Sequence, residues 1–144
     1  MLQGNNCCAP KARPRKNGCS CSVGKVNTVL ACCGSSNVGQ ITNETAKELD
    51  RAGQAKFFCL AGVGGHVSGM VESVRAADAV LVLDGCTVGC GKKCMDAAGL
   101  PGYTHLVVTE LGIEKKHVFD LAAADKEAAL AAARDRLGSE SAAR

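Results

Sequence analysis

The sequence predicts an α/β fold: a three-layer sandwich with a mostly parallel sheet of four or five strands, flavodoxin-like or Rossmann-like. Short apolar runs alternate with helical patterns along the chain, and the strand-to-strand spacing is about 25–30 residues. Each early run breaks at a Gly-rich turn, as strands do when they lead into crossover helices. Right-handed crossovers then place helices on both faces of the sheet.

The first part of the domain is predicted as strand, helix, strand. Residues 26–32 form an apolar run with β-branched character, which predicts the first strand. The SSN triplet at 35–37 supplies N-cap side chains for a helix over 38–52, and Gly53 ends that helix. Residues 55–60 predict the second strand.

The second part continues the same alternation. The glycines of 62–65 predict a loop, and a helix follows over 66–77. Residues 79–83 are nearly all apolar, so the third strand is expected to be buried on both faces, before a helix over 87–98. The last predicted elements are a fourth strand over 105–109 and an Ala-rich amphipathic helix over 125–137.

Length and composition indicate one folded domain over residues 25–138, flanked by a flexible tail at 1–24 and a frayed end at 139–144. Apolar residues make up 47% of the 144-residue chain and charged residues 22%, as is usual for a globular protein. Aromatic residues are only 3%, which disfavours single-stranded nucleic acid as a ligand.

The compartment that the sequence predicts is the cytoplasm. No run approaches the roughly 18 apolar residues that span a bilayer, and the N-terminal segment lacks the apolar core of a secretory signal. In a reducing compartment, ten cysteines indicate metal or redox chemistry rather than a disulfide framework. The tail is basic, and a solvated tail is favoured over one that contacts nucleic acid or membrane. Its four positive charges are Lys11, Arg13, Arg15 and Lys16.

Three cysteines lie at or just beyond the ends of three predicted strands: Cys32, Cys59 and Cys86. In a flavodoxin-like order the first strand lies between the second and third, so these thiols end neighbouring strands about 4.8 Å apart. Cys90 comes four residues after Cys86 and shares its face if both lie on one helix. Helix N-termini favour the thiolate form at this edge. Four thiolates suit a tetrahedral Zn(II) site, which the sequence therefore predicts at Cys32, Cys59, Cys86 and Cys90.

The other cysteines carry weaker signals. Cys94 is predicted as a buried helix residue rather than a fifth thiol, and Cys33 as pointing away from Cys32. For Cys59, an equal alternative to metal binding is that it is a small apolar side chain buried in the core. The tail cysteines are either free thiols or a second soft-metal site, with incidental metal affinity favoured. They are Cys7, Cys8, Cys19 and Cys21.

Four polar residues have different predicted roles. His66 is predicted either as a functional residue (a metal ligand, a hydrogen-bond donor to a ligand or a general base) or, as an equal alternative, as an exposed loop residue. Asp84 is expected to cap the turn after the third strand. His105 and His117 are expected to lie away from the cysteine edge.

Three segments carry a family resemblance: CCGSSNVGQ at 32–40, CLAG at 59–62 and DGCTVGC at 84–90. They resemble the DGC-domain family, which is named for its Asp-Gly-Cys triplet, over about residues 26–137. The family pattern has serine where this chain has Cys33. The resemblance implies zinc binding by four cysteines, which match Cys32, Cys59, Cys86 and Cys90 here, and it implies no particular reaction.

The predicted function is therefore a zinc-binding protein with a structural or metal-handling role. One alternative is a thiol redox enzyme or sensor that uses pairs such as Cys86/Cys90 or Cys32/Cys33. Others are a carrier of soft metals or metalloids and an iron–sulfur protein. The pattern indicates a metal ion as a partner, and it leaves any substrate and any protein partner unidentified.

Overall fold

The structure, a computed structural model, describes residues 25–142, with side chains up to Ser139. Its centre is a four-stranded sheet in the order β2-β1-β3-β4, with every pair parallel. The predicted α/β fold is confirmed, including the position of the first strand between the second and third. The predicted tail at 1–24 lies outside the described residues. The strands are β1 (Asn27–Ala31), β2 (Lys56–Phe58), β3 (Ala79–Asp84) and β4 (Thr104–Val107).

Five helices cover the two faces of the sheet. No helix within residues 25–142 combines the length and apolar character that a bilayer crossing requires. A short 3₁₀ turn at Val108–Leu111 follows β4. The helices are α1 (Asn37–Arg51), α2 (Leu60–Gly64), α3 (Ser68–Arg75), α4 (Cys90–Ala97) and α5 (Ala123–Ala142).

Strand β3 is buried on both faces, as its continuous apolar sequence predicts. Leu81 and Leu83 pack toward α1 and α5, where Leu49 belongs to the same cluster. Val80 and Val82 point the other way and pack with residues of α2, α3 and α4. Successive strand side chains alternate between faces, so one six-residue strand anchors both helical layers.

Helix α4 begins three residues later than predicted. Gly89 adopts a left-handed conformation (φ 65°, ψ 46°) at the N-cap, and the Asp84 carboxylate accepts hydrogen bonds from the first free amides of the helix, Gly91 N and Lys92 N. Cys86 consequently lies in the loop before the helix. The expectation that Cys86 and Cys90 share a helix face is wrong, and the pair one turn apart on α4 is Cys90 and Cys94.

Most other boundaries lie within two residues of those predicted, and two segments differ more. The glycines of 62–65 do not make an open loop, because Leu60–Gly64 is a short helix on which the Met70 thioether packs at Gly62. Helix α5 continues through Gly138, which was expected to end it, to Ala142.

Candidate thiol site

The carboxyl edge of the sheet carries a cavity of about 650 Å³ beside the ends of β1 and β2 and the start of α4. Its walls combine thiols with apolar side chains, the largest of which are Phe57, Phe58 and Leu60. No Lys, Arg, His, Asp or Glu of the described chain lines it. The five cysteines that line it are Cys32, Cys33, Cys59, Cys90 and Cys94.

Cys32 is held at the edge by the backbone of the adjacent strand. Its amide donates to the Leu83 carbonyl at 2.9 Å, which extends the β1–β3 pairing by one residue. The Gly34 and Gly85 amides lie close enough to the Cys32 thiol to oppose the rise of its pKa. Backbone groups of two separate loops thus surround this sulfur.

Three glycines bring those loops together. A Cβ on Gly85 would lie 2.7 Å from Gly39 N, and a Cβ on Gly39 would lie 2.7 Å from Gly34 N. Real Cβ atoms do not come that close to backbone atoms, so only glycine permits this approach of the β1–α1 turn to the β3–α4 loop. The Gly of the Asp-Gly-Cys triplet therefore has a packing role that sets the distance between Cys32 and the loop before α4.

Asp84 is the buried charge beneath the site. Its side chain is 1% exposed and accepts from Gly91 N at 2.7 Å, Lys92 N at 2.9 Å and His105 Nε2 at 2.8 Å. The structure confirms the expectation that Asp84 caps the turn after β3. It also links His105 to this edge through Asp84, which the sequence reasoning missed.

Cys86 lies apart from the cavity. It packs against Val38, Ile41 and their neighbours on the α1 and α5 face, and the Lys115 ammonium donates to its sulfur at 3.4 Å. The structure thus brings three of the four predicted ligands, Cys32, Cys59 and Cys90, to one cavity.

The thiols surround the cavity without converging on one point. Among residues 25–142, no group of three or more His, Cys, Asp or Glu side chains is arranged to hold a metal ion. A closed metal shell therefore needs side-chain rotations about the cavity, and the four-cysteine ligand set stays a prediction.

Cys33 and Cys94, for which the sequence predicts only minor roles, also line the cavity. Cys33 lines it and donates to Asn43 Oδ1 at 3.3 Å, and Cys94 lines it from the second turn of α4. His66 is exposed with φ 54° and does not line the cavity. His117 lies outside it too and donates to the Ser35 carbonyl at 2.6 Å.

Burial and neighbouring charge raise the pKa of three cavity thiols. For Cys32, burial acts most strongly on the pKa, the charges of Cys90 and Asp84 add to it, and the two glycine amides oppose it. For Cys94, burial, Cys90 and Asp84 raise the pKa in that order. For Cys33, burial and then Cys59 do so. The expected lowering of thiol pKa by helix N-termini does not hold at Cys32, so a cation that binds there must displace protons.

Metal-free protein is expected to lose stability above the pH at which ordinary cysteines ionise. Because the folded-state pKa of Cys32 and Cys94 is raised, stability from the neutral thiols is complete below the unfolded-state pKa and is lost as pH rises through the folded-state pKa. Urea midpoints measured from about pH 7 to about pH 10 check this. The Cys32→Ser/Cys94→Ser variant should show a smaller decline, and an equal decline in both proteins would contradict the assignment.

Comparison with known proteins places this site in a family context. A model of the DGC domain matches residues 28–133, which include all five cavity cysteines and Cys86. A curated protein of Pseudomonas aeruginosa, the anaerobic and virulence modulator AnvM, is 41% identical over 99 residues, or 69% of this chain and 76% of that protein. No solved structure matches the chain.

Proposed function

This chain belongs to the DGC-domain family, and on that premise we propose that it binds one Zn(II) ion through cysteine thiolates at the carboxyl edge of its sheet. The proposed role is structural or metal-handling. The observation that carries the proposal is the shared cavity of Cys32, Cys59 and Cys90, which come from three separate segments: the end of β1, the β2–α2 junction and the start of α4.

The donor set fits zinc. Thiolates are preferred zinc ligands at about 2.3 Å, and structural sites take four of them. A closed shell of four thiolates gives the ion no open position, so its effect is to tie loops together rather than to activate water. Three loops joined in this way gain the free energy of metal binding as folding free energy.

Cys86 is the proposed fourth ligand, and Cys94 is its rival. Cys86 lies four residues before Cys90 in a loop that contains Gly85 and Gly89, and reaching the cavity requires it to leave Lys115. Cys94 already lines the cavity. The family motif favours Cys86, whereas the side-chain positions favour Cys94.

Native mass spectrometry of single serine variants tests the proposal. The four cysteines of residues 1–24 are first replaced with serine, so that bound zinc reports on the folded domain. Cys32→Ser, Cys59→Ser, Cys90→Ser and Cys86→Ser should each lose stoichiometric zinc, and Cys94→Ser should keep it. Loss in Cys94→Ser with retention in Cys86→Ser would make Cys94 the fourth ligand, and full retention in Cys32→Ser would contradict the site.

A thiol sensor is the second candidate function. Two pairs of thiols lie close together. The charge of Cys90 adds to the rise in the pKa of Cys32, and the charge of Cys59 adds to the rise in the pKa of Cys33, burial being the larger cause in both. The relative's name describes a modulator of anaerobic behaviour and virulence, and thiol oxidation is one signal that distinguishes aerobic from anaerobic conditions.

Titration of free thiols with and without a chelator separates the two candidates. Thiols that become reactive only after zinc is removed support the metal site. A reversible two-electron couple in metal-free protein supports the sensor.

A further inference from the structure

The cavity is larger and more apolar than a bare ion requires. Its volume of about 650 Å³ lies within the range of about 300–1,000 Å³ that is typical of small-molecule pockets. A metal ion held by thiolates about 2.3 Å away fills only a small part of that space. Most of the cavity is therefore available to something other than the ion.

Apolar side chains line the part of the cavity on the β2 side. Phe57 and Phe58 end strand β2, Leu60 begins α2, and all three are only partly buried. The thiols of Cys32 and Cys90 approach from β1 and α4. Soft nucleophiles and an aromatic-lined wall thus share one open-sided pocket, and an apolar cavity of about 150 Å³ already accepts a benzene ring.

The charge of the lining narrows the class of ligand. The described chain contributes no basic side chain to the cavity, and the buried carboxylate of Asp84 lies at this edge, where it accepts from the first free amides of α4. An anionic ligand would have no cation to pair with here. A neutral or cationic thiophilic group meets no such penalty.

We propose that the site takes a thiophilic metal or metalloid centre that carries an apolar organic group, with a monoorganoarsenic(III) compound as the representative ligand. Two thiols, Cys32 and Cys90, bind the arsenic, and the organic group packs against Phe58 and Leu60. The proposal rests on the proposed function of these thiols as a soft-ion site and specifies its ligand.

The binding step is a condensation without oxidation or reduction. The hydrated ligand has two hydroxyl groups on arsenic. Each thiol gives its proton to one of them, so two As–O bonds break, two As–S bonds form and two waters leave. Arsenic remains trivalent, and no other reactant is required.

The test compares phenylarsine oxide with methylarsonous acid, which use the same two As–S bonds and differ in the organic group. The protein carries serine at the four cysteines of residues 1–24, and native mass spectrometry follows loading in competition with dithiothreitol. For each arsenical, the affinity for the protein is divided by its affinity for dithiothreitol. This relative affinity should be about tenfold or more higher for the phenyl compound, because the phenyl ring moves from water to an apolar wall. A phenyl-to-methyl ratio of relative affinities near one would overturn the proposal.

Variants locate the preference within the cavity. Leu60→Gln should lower the phenyl-to-methyl ratio while methylarsonous acid still binds, and Val67→Gln, which changes an exposed residue outside the cavity, should leave the ratio unchanged. Cys90→Ser should lose both arsenicals. If Leu60→Gln fails to fold, the phenyl-to-methyl ratio of the protein without this substitution still tests the proposal.

The outcomes separate this proposal from the proposed function. Zinc binding together with equal preference for the two arsenicals removes only the organic-group specificity. Failure to bind zinc and both arsenicals removes the thiol site altogether.

Discussion

Gly85→Ala is expected to destabilise the metal-free protein by about 2–3 kcal/mol. The new Cβ would lie 2.7 Å from Gly39 N and 2.8 Å from the Val38 carbonyl carbon. Both are backbone atoms in the first turn of α1, so they cannot rotate aside as a side chain would. The loops must separate, and urea unfolding of the reduced, metal-free protein measures the cost.

The same separation of the two loops should weaken metal binding, because the Gly85 amide also lies close to the Cys32 thiol.

Gly69→Ala is the matched control for stability. It lies in α3 with no atom within 4 Å of the added Cβ, so it is expected to be neutral or to stabilise by up to about 1 kcal/mol. If both alanines change stability equally, close packing of the two loops does not explain the glycine of the triplet.

Asp84→Asn is expected to destabilise the metal-free protein by about 2–4 kcal/mol. The carboxylate accepts three hydrogen bonds in a buried position, from the two amides of α4 and from His105. Asparagine has one acceptor oxygen, so its amide nitrogen must face another donor. Because Asp84 fixes the start of α4, zinc affinity should also fall through the displaced Cys90. Urea unfolding and zinc titration measure the two effects.

Asp96→Asn provides the control on the same helix. Asp96 is exposed and pairs with Lys92 and the Tyr103 hydroxyl. Water replaces such partners readily, so the loss of stability should be far smaller than for Asp84→Asn. Equal losses would mean that burial of Asp84 and capping of α4 do not stabilise the fold.

The strand order and the edge that carries the thiols were predictable from the sequence. The hydrophobic runs predict the positions of β1 and β3, and the rule for open α/β sheets places functional groups beyond the strand ends. The strand positions depend on local sequence pattern, and the location of the functional groups depends on chain topology. Three of the four predicted ligands therefore line one cavity.

The position of Cys86 was not predictable from helical spacing alone. The start of α4 is set by a side chain, the Asp84 carboxylate, and by a left-handed Gly89, and both override a pattern that favours helix from residue 87. An acidic residue a few positions before a glycine and a helical run is the signal that would have indicated the later start.

The roles of Cys94 and His105 depend on packing between distant elements. Cys94 lines the cavity because α2 lies against α4, where Gly64 leaves room for its sulfur. His105 reaches Asp84 because β3 pairs with β4 in a register that places Val82 opposite His105. Neither arrangement follows from the periodicity of either segment.

X-ray absorption at the zinc edge tests the central claim most directly. The sample is reduced protein with serine at the four cysteines of residues 1–24, loaded with one equivalent of Zn(II). Four sulfur neighbours at about 2.3 Å are predicted, and Cys32→Ser should remove one of them or abolish binding. A shell of nitrogen and oxygen neighbours, or no bound zinc, would contradict the claim that thiols from separate loops hold one ion.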